Sequence, residues 1–258
     1  MCIRDRNFRQ RDPGKTVDDL VWLKERYGAQ SFFFTDECFA LSPTKRLCQQ
    51  MIDRQVNVKW TCELRFEKNL TRELLGQMRD AGCLKIVFGL ESFNQRVMDF
   101  MKKGIKQESV RRIVDDCVDL GIAVHCYVIV GFPTEKEEEA LDTMNFVVGN
   151  KKLHESYGFS CQPCLFDLEK EAPIMSDPGS YGIRRIMRPA TEDLSLGFFY
   201  EVQEGMTPAQ AEQLYQQVYE KISEVVCELP FNYSMADGLL YIARAKSQAL
   251  QVPQPTGP

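Results

Sequence analysis

From residue 16 onward, short apolar runs alternate with amphipathic stretches, and the alternation repeats along the chain. TVDDLVWLKERYG (16–28) puts Val17, Leu20 and Val21 on one face at helical spacing. Thr16 suits an N-cap with Asp19 three residues on, and Gly28 suits a stop. SFFFT (31–35) then reads as a strand. A second helix, opened by Ser42-Pro43, gathers Leu47, Cys48, Met51 and Ile52 on one side. VKWTCEL (58–64) is the next strand, and Thr71 caps a helix through Leu74, Leu75 and Met78 to Gly82. LKIVFG (84–89) is a third strand, followed by short helical stretches that end at Gly121. IAVHCYVIVG (122–131) is the longest strand, a helix starts near Thr134, and YGFSCQPC (157–164) reads as a fifth strand.

Strands alternating with helices at this spacing predict right-handed crossovers and a parallel sheet, hence an α/β fold. In such sheets and barrels the active site lies beyond the carboxyl ends of the strands. Those ends carry Asp36-Glu37, Glu63-Leu64-Arg65, Glu91-Ser92, Gly131 through Glu135, and Gln162. Side chains alternate between the two faces of a strand. Lys59, Thr61, Glu63 and Arg65 therefore share one face of the second strand, and Val58, Trp60, Cys62 and Leu64 share the other. Glu91 shares parity with Gly89 and Val87, and Gly131 with Ile129, Tyr127 and His125. The apolar sets are expected to meet the helices. The polar sets are expected to line an interior shaped for a polar ligand.

Charge narrows the function classes. A net charge of −5 offers no global attraction for nucleic acid or a membrane surface. No apolar run approaches the roughly 18 residues of a spanning helix, and no signal-peptide pattern opens the chain, so the expected location is the cytoplasm. Ten cysteines are scattered from Cys2 to Cys227 without a repeated spacing, which argues against a disulfide framework. Cys161-Gln-Pro-Cys164 is the one close pair. Positions three apart on a strand point to opposite faces, so packing is favoured there over a shared metal.

The stretches FFFTDECF (32–39), WTCELR (60–65), TRELLGQMRDAGC (71–83), IVFGLESFNQRVMDFMKKGI (86–105) and GIAVHCYVIVGFPTEKEEE (121–139) together resemble the radical S-adenosylmethionine (radical SAM) superfamily. The likeness is to the branch that often carries a cobalamin-binding domain upstream. It implies a partial (βα)6 TIM-like barrel that holds S-adenosylmethionine and a [4Fe-4S] cluster, with cobalamin as an additional candidate. It also implies a small-molecule or peptide substrate and an electron donor such as flavodoxin or ferredoxin, with no nucleic-acid or membrane partner.

Carried onto this sequence, the resemblance gives Glu37 to the methionyl ammonium and Arg65 to the methionyl carboxylate. It gives Glu91, with Ser92, to the ribose hydroxyls, and the Gly131-Phe132-Pro133 turn to the adenine. Gln162 falls near adenine or substrate. His125 reads either as a hydrogen-bonded core group or as an acid–base, and Glu135 has a separate claim within an otherwise solvated acidic run. Arg65 and Glu91 have a second reading as an ion pair between strands, and Asp36 and Glu37 as helix-entry charges.

The sequence departs from the family in one respect. The family holds its cluster with CxxxCxxC after the first strand, and that spacing occurs nowhere here. Residues 1–6, MCIRDR, read as a translated sequencing-adapter scar standing where that segment is expected. The expectation is a radical SAM core fragment over 7–165 that lacks its first strand and, by itself, assembles no cluster and is inactive. An irregular loop region is expected over 166–200, a helical appendage over 201–250, and a disordered tail over 251–258. Two other functions stay open: a non-catalytic barrel binding a nucleoside-like ligand, and a cluster-free barrel using His125 and carboxylates as acid and base.

Overall fold

The computed structural model describes residues 11–36, 38–150, 159–170, 172–188 and 197–225. The chain opens with helix α1 (Pro13–Tyr27), strand β1 (Ser31–Phe33), α2 (Leu41–Asp53), β2 (Lys59–Leu64), α3 (Arg72–Asp80) and β3 (Cys83–Glu91). It continues with α4 (Gln95–Phe100), α5 (Gln107–Asp119), β4 (Ala123–Val130), α6 (Glu137–Gly149) and β5 (Ser160–Leu165). After these come β6 (Leu168–Glu169), two 3₁₀ turns, β7 (Ile183–Met187), β8 (Gly197–Val202) and α7 (Pro208–Val225).

Strands β1 to β5 pair in parallel in chain order, with helices in the crossovers between them, and form a curled half-barrel. The helix-facing positions make the core. Trp60, Cys62 and Leu64 of β2, Ile86, Phe88 and Leu90 of β3, and Val124, Cys126, Val128 and Val130 of β4 are all buried. They meet Leu75 and Met78 of α3 and Val110, Ile113, Val114 and Cys117 of α5. Phe88 stacks on Phe66 at 4.2 Å between centroids, and the Trp60 indole N–H donates to the Ala81 carbonyl at 2.8 Å. The buried indole therefore keeps a hydrogen bond.

Local signals explain most helix ends. Thr71 accepts from the Leu74 amide at 3.3 Å, and Gly28 closes α1 in the left-handed region. The expected cap at Thr16 is replaced by Asp12. Its carboxylate accepts from the Lys15 amide and Pro13 occupies the first turn, so the cap of α1 lies four residues earlier. Likewise α6 starts at Glu137 rather than near Thr134, because Thr134 and Glu135 are folded into a buried turn.

The stretch expected as an irregular loop over 166–200 contains a small antiparallel sheet in the order β6-β8-β7. It surrounds its own apolar cluster of Leu168, Ile174, Ile183 and Tyr200, joined by Phe132, Phe166 and Tyr181. The strands are too short, and β7 too irregular at Ile183/Arg185, to leave a clear period-two pattern in the sequence. Helix α7 lays Ala211, Leu214, Val218 and Ile222 on the main core against β4, β5 and α6. The expected appendage beyond Val225, the tail over 251–258 and residues 1–6 fall outside the described residues. No helix among those described is long and apolar enough to cross a membrane.

Phe88 is fully buried and bears on the stack that joins β3 to the loop after β2. Phe88→Ala is expected to cost about 3–5 kcal/mol of unfolding free energy, measured by urea denaturation.

Candidate functional site

Parallel register sorts the inner face of the half-barrel into rows. Thr61 sits beside Lys85, Val87 beside His125, His125 beside Ser160, and Tyr127 beside Gln162. The lower rows are therefore polar and enclosed, while the upper rows lead to the carboxyl ends of the strands.

At that mouth a small cleft is lined by Arg65, Phe66, Gly89, Leu90, Lys103 and Ile105. A register shift after Gly89 puts Glu91 opposite Val128, and Glu91 takes a φ of 62°, which is costly for a residue with a side chain. The shift turns the Glu91 carboxylate back over the strand. A Cβ on Gly89 would come within 2.7 Å of Glu91 Oε1, so the bare glycine leaves room for that carboxylate. Lys103 Nζ donates to Glu91 Oε1 and to the Gly89 carbonyl, each at 3.2 Å. Burial lowers the Lys103 pKa, and the Glu91 carboxylate pulls it back up. The expected alternative of an Arg65–Glu91 pair is corrected here, because the partner of Glu91 is Lys103. Arg65 makes one long contact, 3.5 Å to the Lys103 carbonyl, and no ion pair among the described residues. An arginine guanidinium at the mouth is thus left with most of its donors open.

Ser92 does not face this cleft. It is fully buried, its hydroxyl lies 3.3 Å from that of Thr143 on α6, and it accepts from the Asn94 amide at 3.2 Å. Its expected role at a ribose is corrected to that of holding the turn between β3 and α4, since no hydroxyl capacity points outward.

The turn after β4 is likewise built inward. Gly131 has a φ of 85°, and the space a side chain would need is occupied by Ala211 of α7. Its bare face meets a helix of the same chain, and its amide donates to Glu135 Oε2 at 2.8 Å. Phe132 turns toward the second apolar cluster against Phe100, Phe166 and Tyr181, and Pro133 is buried. Glu135 is fully enclosed, its second oxygen has no partner, and Met206 donates its amide to the Glu135 carbonyl. Burial is the main cause that lifts the Glu135 pKa to about 8, against the Gly131 amide, which lowers it. Arg96 is held by Glu139 next to it rather than by Glu135.

Gln162 is exposed on the edge strand β5, at the open side of the inner face. Glu37 lies outside the described residues. His125 is buried lower in the barrel, with Nδ1 2.8 Å from the Ser160 hydroxyl. Burial first, and then the Lys85 cation, lower its pKa to about 3. The imidazole is therefore neutral at physiological pH.

The described cysteines do not fit a [4Fe-4S] cluster. Cys48, Cys62, Cys83, Cys117, Cys126 and Cys161 are buried, and burial raises the thiols of Cys48, Cys83, Cys117, Cys126 and Cys161, which favours the protonated form over the ligating thiolate. Among the described residues no three Cys, His, Asp or Glu side chains converge as a metal site. Lys103 and Lys85 were not singled out from sequence. Lys103 sits in an irregular turn with no pattern around it, whereas Lys85 continues the inward parity of Val87 and Gly89 and was legible there.

A half-barrel of parallel strands with polar groups on its inner face and a charged cleft at the carboxyl ends is a partial TIM-like α/β barrel. The chain belongs to the radical SAM superfamily, which matches residues 2–147. An uncharacterized methyltransferase of Pyrococcus horikoshii is 27% identical over 145 residues, covering 55% of this chain and 31% of that protein. The anaerobic magnesium-protoporphyrin IX monomethyl ester cyclase of Rubrivivax gelatinosus is 30% identical over 141 residues, covering 54% of this chain and 25% of that protein. Both relatives are thus matched over less than a third of their length. The radical SAM methyltransferase TsrM of Kitasatospora setae, in a structure with cobalamin and a [4Fe-4S] cluster bound, shares the fold. The TM-score is 0.61 at 15% identity, with 94% of this chain and 57% of that chain covered.

The unfolded state releases the Glu135 proton near pH 4.5, while the folded state holds it to about pH 8. Stability therefore falls as pH rises through that window, because the unfolded chain binds fewer protons there. Glu135→Gln is expected to flatten this part of the stability–pH curve relative to the unmodified chain, as read by chemical denaturation at pH 5, 6.5 and 8.

Proposed function

We propose that this chain forms the S-adenosylmethionine-binding half-barrel of a radical SAM enzyme, with methyl transfer as the favoured reaction class. One observation carries the reading: Arg65 and Lys103 line a cleft at the carboxyl ends of β2 and β3 beside Gly89, and Lys103 holds the Glu91 carboxylate next to it. S-adenosylmethionine bears a carboxylate and ribose hydroxyls, and the Arg65 and Glu91 side chains match them as donor and acceptor. Arg65 would hold the carboxylate, and Glu91, fixed by Lys103, would hold the ribose. Gly89 makes room for the Glu91 carboxylate. Gln162 would reach in from the open edge, and the Gly131-Phe132-Pro133 turn, packed against α7 and the second apolar cluster and stiffened by Glu135, would back the site from behind. Ser92 and Glu135 support these groups from behind. When bound, S-adenosylmethionine supplies the activated methyl and adenosyl groups on which the family's chemistry is based.

The methyltransferase relative and the fold of TsrM support methyl transfer, and the cobalamin bound by TsrM makes cobalamin the proposed second cofactor. The described residues do not fit the iron–sulfur cluster. An electron-donor protein such as flavodoxin or ferredoxin is proposed as the partner of the whole enzyme.

Isothermal titration of the chain with S-adenosylmethionine tests the cleft. Saturable binding is expected, weakened about tenfold or more in Arg65→Gln, where a charge-assisted hydrogen bond is lost, and weakened in Glu91→Gln. Affinity unchanged in both variants would rule the cleft out.

A further inference from the structure

The turn that delivers Lys103 to the cleft is also gripped by the unit built around the second sheet. Helix α4 ends in a Schellman arrangement. The Lys102 amide donates to the Asp99 carbonyl and the Lys103 amide to the Met98 carbonyl, each at 3.0 Å. The residue at the left-handed position is Lys102, with a φ of 57°. Glycine takes that position without a steric penalty, whereas a lysine there costs stability. An exposed lysine that carries such a cost at a helix exit calls for a reason.

The Lys102 side chain has a partner. Its ammonium lies 5.1 Å from the centroid of the Tyr181 ring, a cation–π contact. Tyr181 ends the 3₁₀ turn Pro178–Tyr181 and belongs to the second apolar cluster. Its ring also meets Phe100, the last residue of α4, at 5.8 Å between centroids, and Phe132 at 6.4 Å. One ring therefore holds the end of α4 at residues 100 and 102.

Lys103, the next residue, serves the cleft. Its Nζ donates to the Glu91 carboxylate and the Gly89 carbonyl, and its own carbonyl lies 3.5 Å from the Arg65 guanidinium. Lys103 thus touches both charged groups of the proposed S-adenosylmethionine site. A lysine ammonium sits on a flexible four-carbon stem, so its placement depends on how firmly the root of that stem is fixed. Packing of the second cluster alone would account for Tyr181, but not for a strained lysine laid over its ring.

We infer that Tyr181 is a positioning residue: through Lys102 and Phe100 it fixes the turn that places Lys103 against Glu91 and Arg65. The consequence for S-adenosylmethionine rests on the proposed function. The hold on the turn does not.

Two measurements on the full chain test this. Amide hydrogen exchange of peptides covering residues 98–105 reads the turn without ligand, and isothermal titration with S-adenosylmethionine reads the site. Tyr181→Leu is expected to speed exchange in those peptides and to weaken S-adenosylmethionine about threefold or more, the worth of a lost cation–π and ring contact. Tyr181→Phe keeps the ring and is expected to match the parent in both. Lys102→Asn removes the cation but keeps a residue suited to the left-handed region. Its urea midpoint is expected to be no lower than the parent's, while exchange speeds up and affinity falls. That opposition of stability and affinity separates positioning from packing, and it carries the test if Tyr181→Leu does not fold. Affinity that falls only together with the midpoint, or equally in Tyr181→Phe and Tyr181→Leu, overturns the inference. With a parent that binds, affinity unchanged in both Tyr181→Leu and Lys102→Asn defeats the inference and leaves the proposed function standing. A parent that binds no S-adenosylmethionine defeats the proposed function, and the exchange rates then decide by themselves whether Tyr181 holds the turn.

Discussion

Five parallel strands in strict order, covered by helices on one side, leave the other side to be filled by whatever alternate residues the strands carry. That constraint governs the rest of the molecule. On β2 the helix side takes Trp60, Cys62 and Leu64, so Thr61 and Glu63 must turn inward. On β3 it takes Ile86, Phe88 and Leu90, so Lys85, Val87 and Gly89 must do the same. Polar side chains in a parallel sheet are costly unless they meet partners or a ligand, because both faces are withdrawn from water. The interior is thus committed to chemistry by the same alternation that builds the core.

The mouth of the barrel departs from regular structure where that departure positions charge. A single register shift between Gly89 and Glu91, with Glu91 in the left-handed region, moves a carboxylate from a strand row to the rim. Lys103 then fixes it from a turn after α4, and Arg65 stands across the cleft with its donors open. The neighbouring turn after β4 uses a different device. A buried glutamic acid caps the Gly131 amide from within, and the small β6-β8-β7 sheet and α7 close over it. Rigidity at this turn comes from packing and from an acid kept neutral by its surroundings, rather than from exposed charge.

Much of this was legible in the order of residues. The strand and helix rhythm, the polar and apolar parity of β2, β3 and β4, the Thr71 cap and the cluster of charges after each strand follow from period and side-chain chemistry, which act over a few residues. The α1 cap was misplaced because Thr16 and Asp12 are both able to cap, and Pro13 decides between them. The small sheet after β5 left no readable period, since strands of two to six residues with a bulge carry too few alternations. Ser92 and Gly131 have the residue types of a ligand contact, yet Thr143 and Ala211, each from a helix distant in sequence, occupy the positions a ligand would need.

What the sequence determined by itself was the class of fold, the face each strand residue takes and the family, because these depend on local periodicity and on motifs in order. Which polar groups remain available was decided only by the tertiary structure. Arg65 and Ser92 follow neighbouring strands and read alike as candidates, but one has no ion pair among the described residues and the other meets α6. Lys85, unremarkable in a row of letters, becomes a buried lysine bonded to Ser160, its pKa lowered to about 8 by burial, only when five strands curl around it. Pairing and burial are properties of what lies across from a residue, and alternation along a strand carries no information about that.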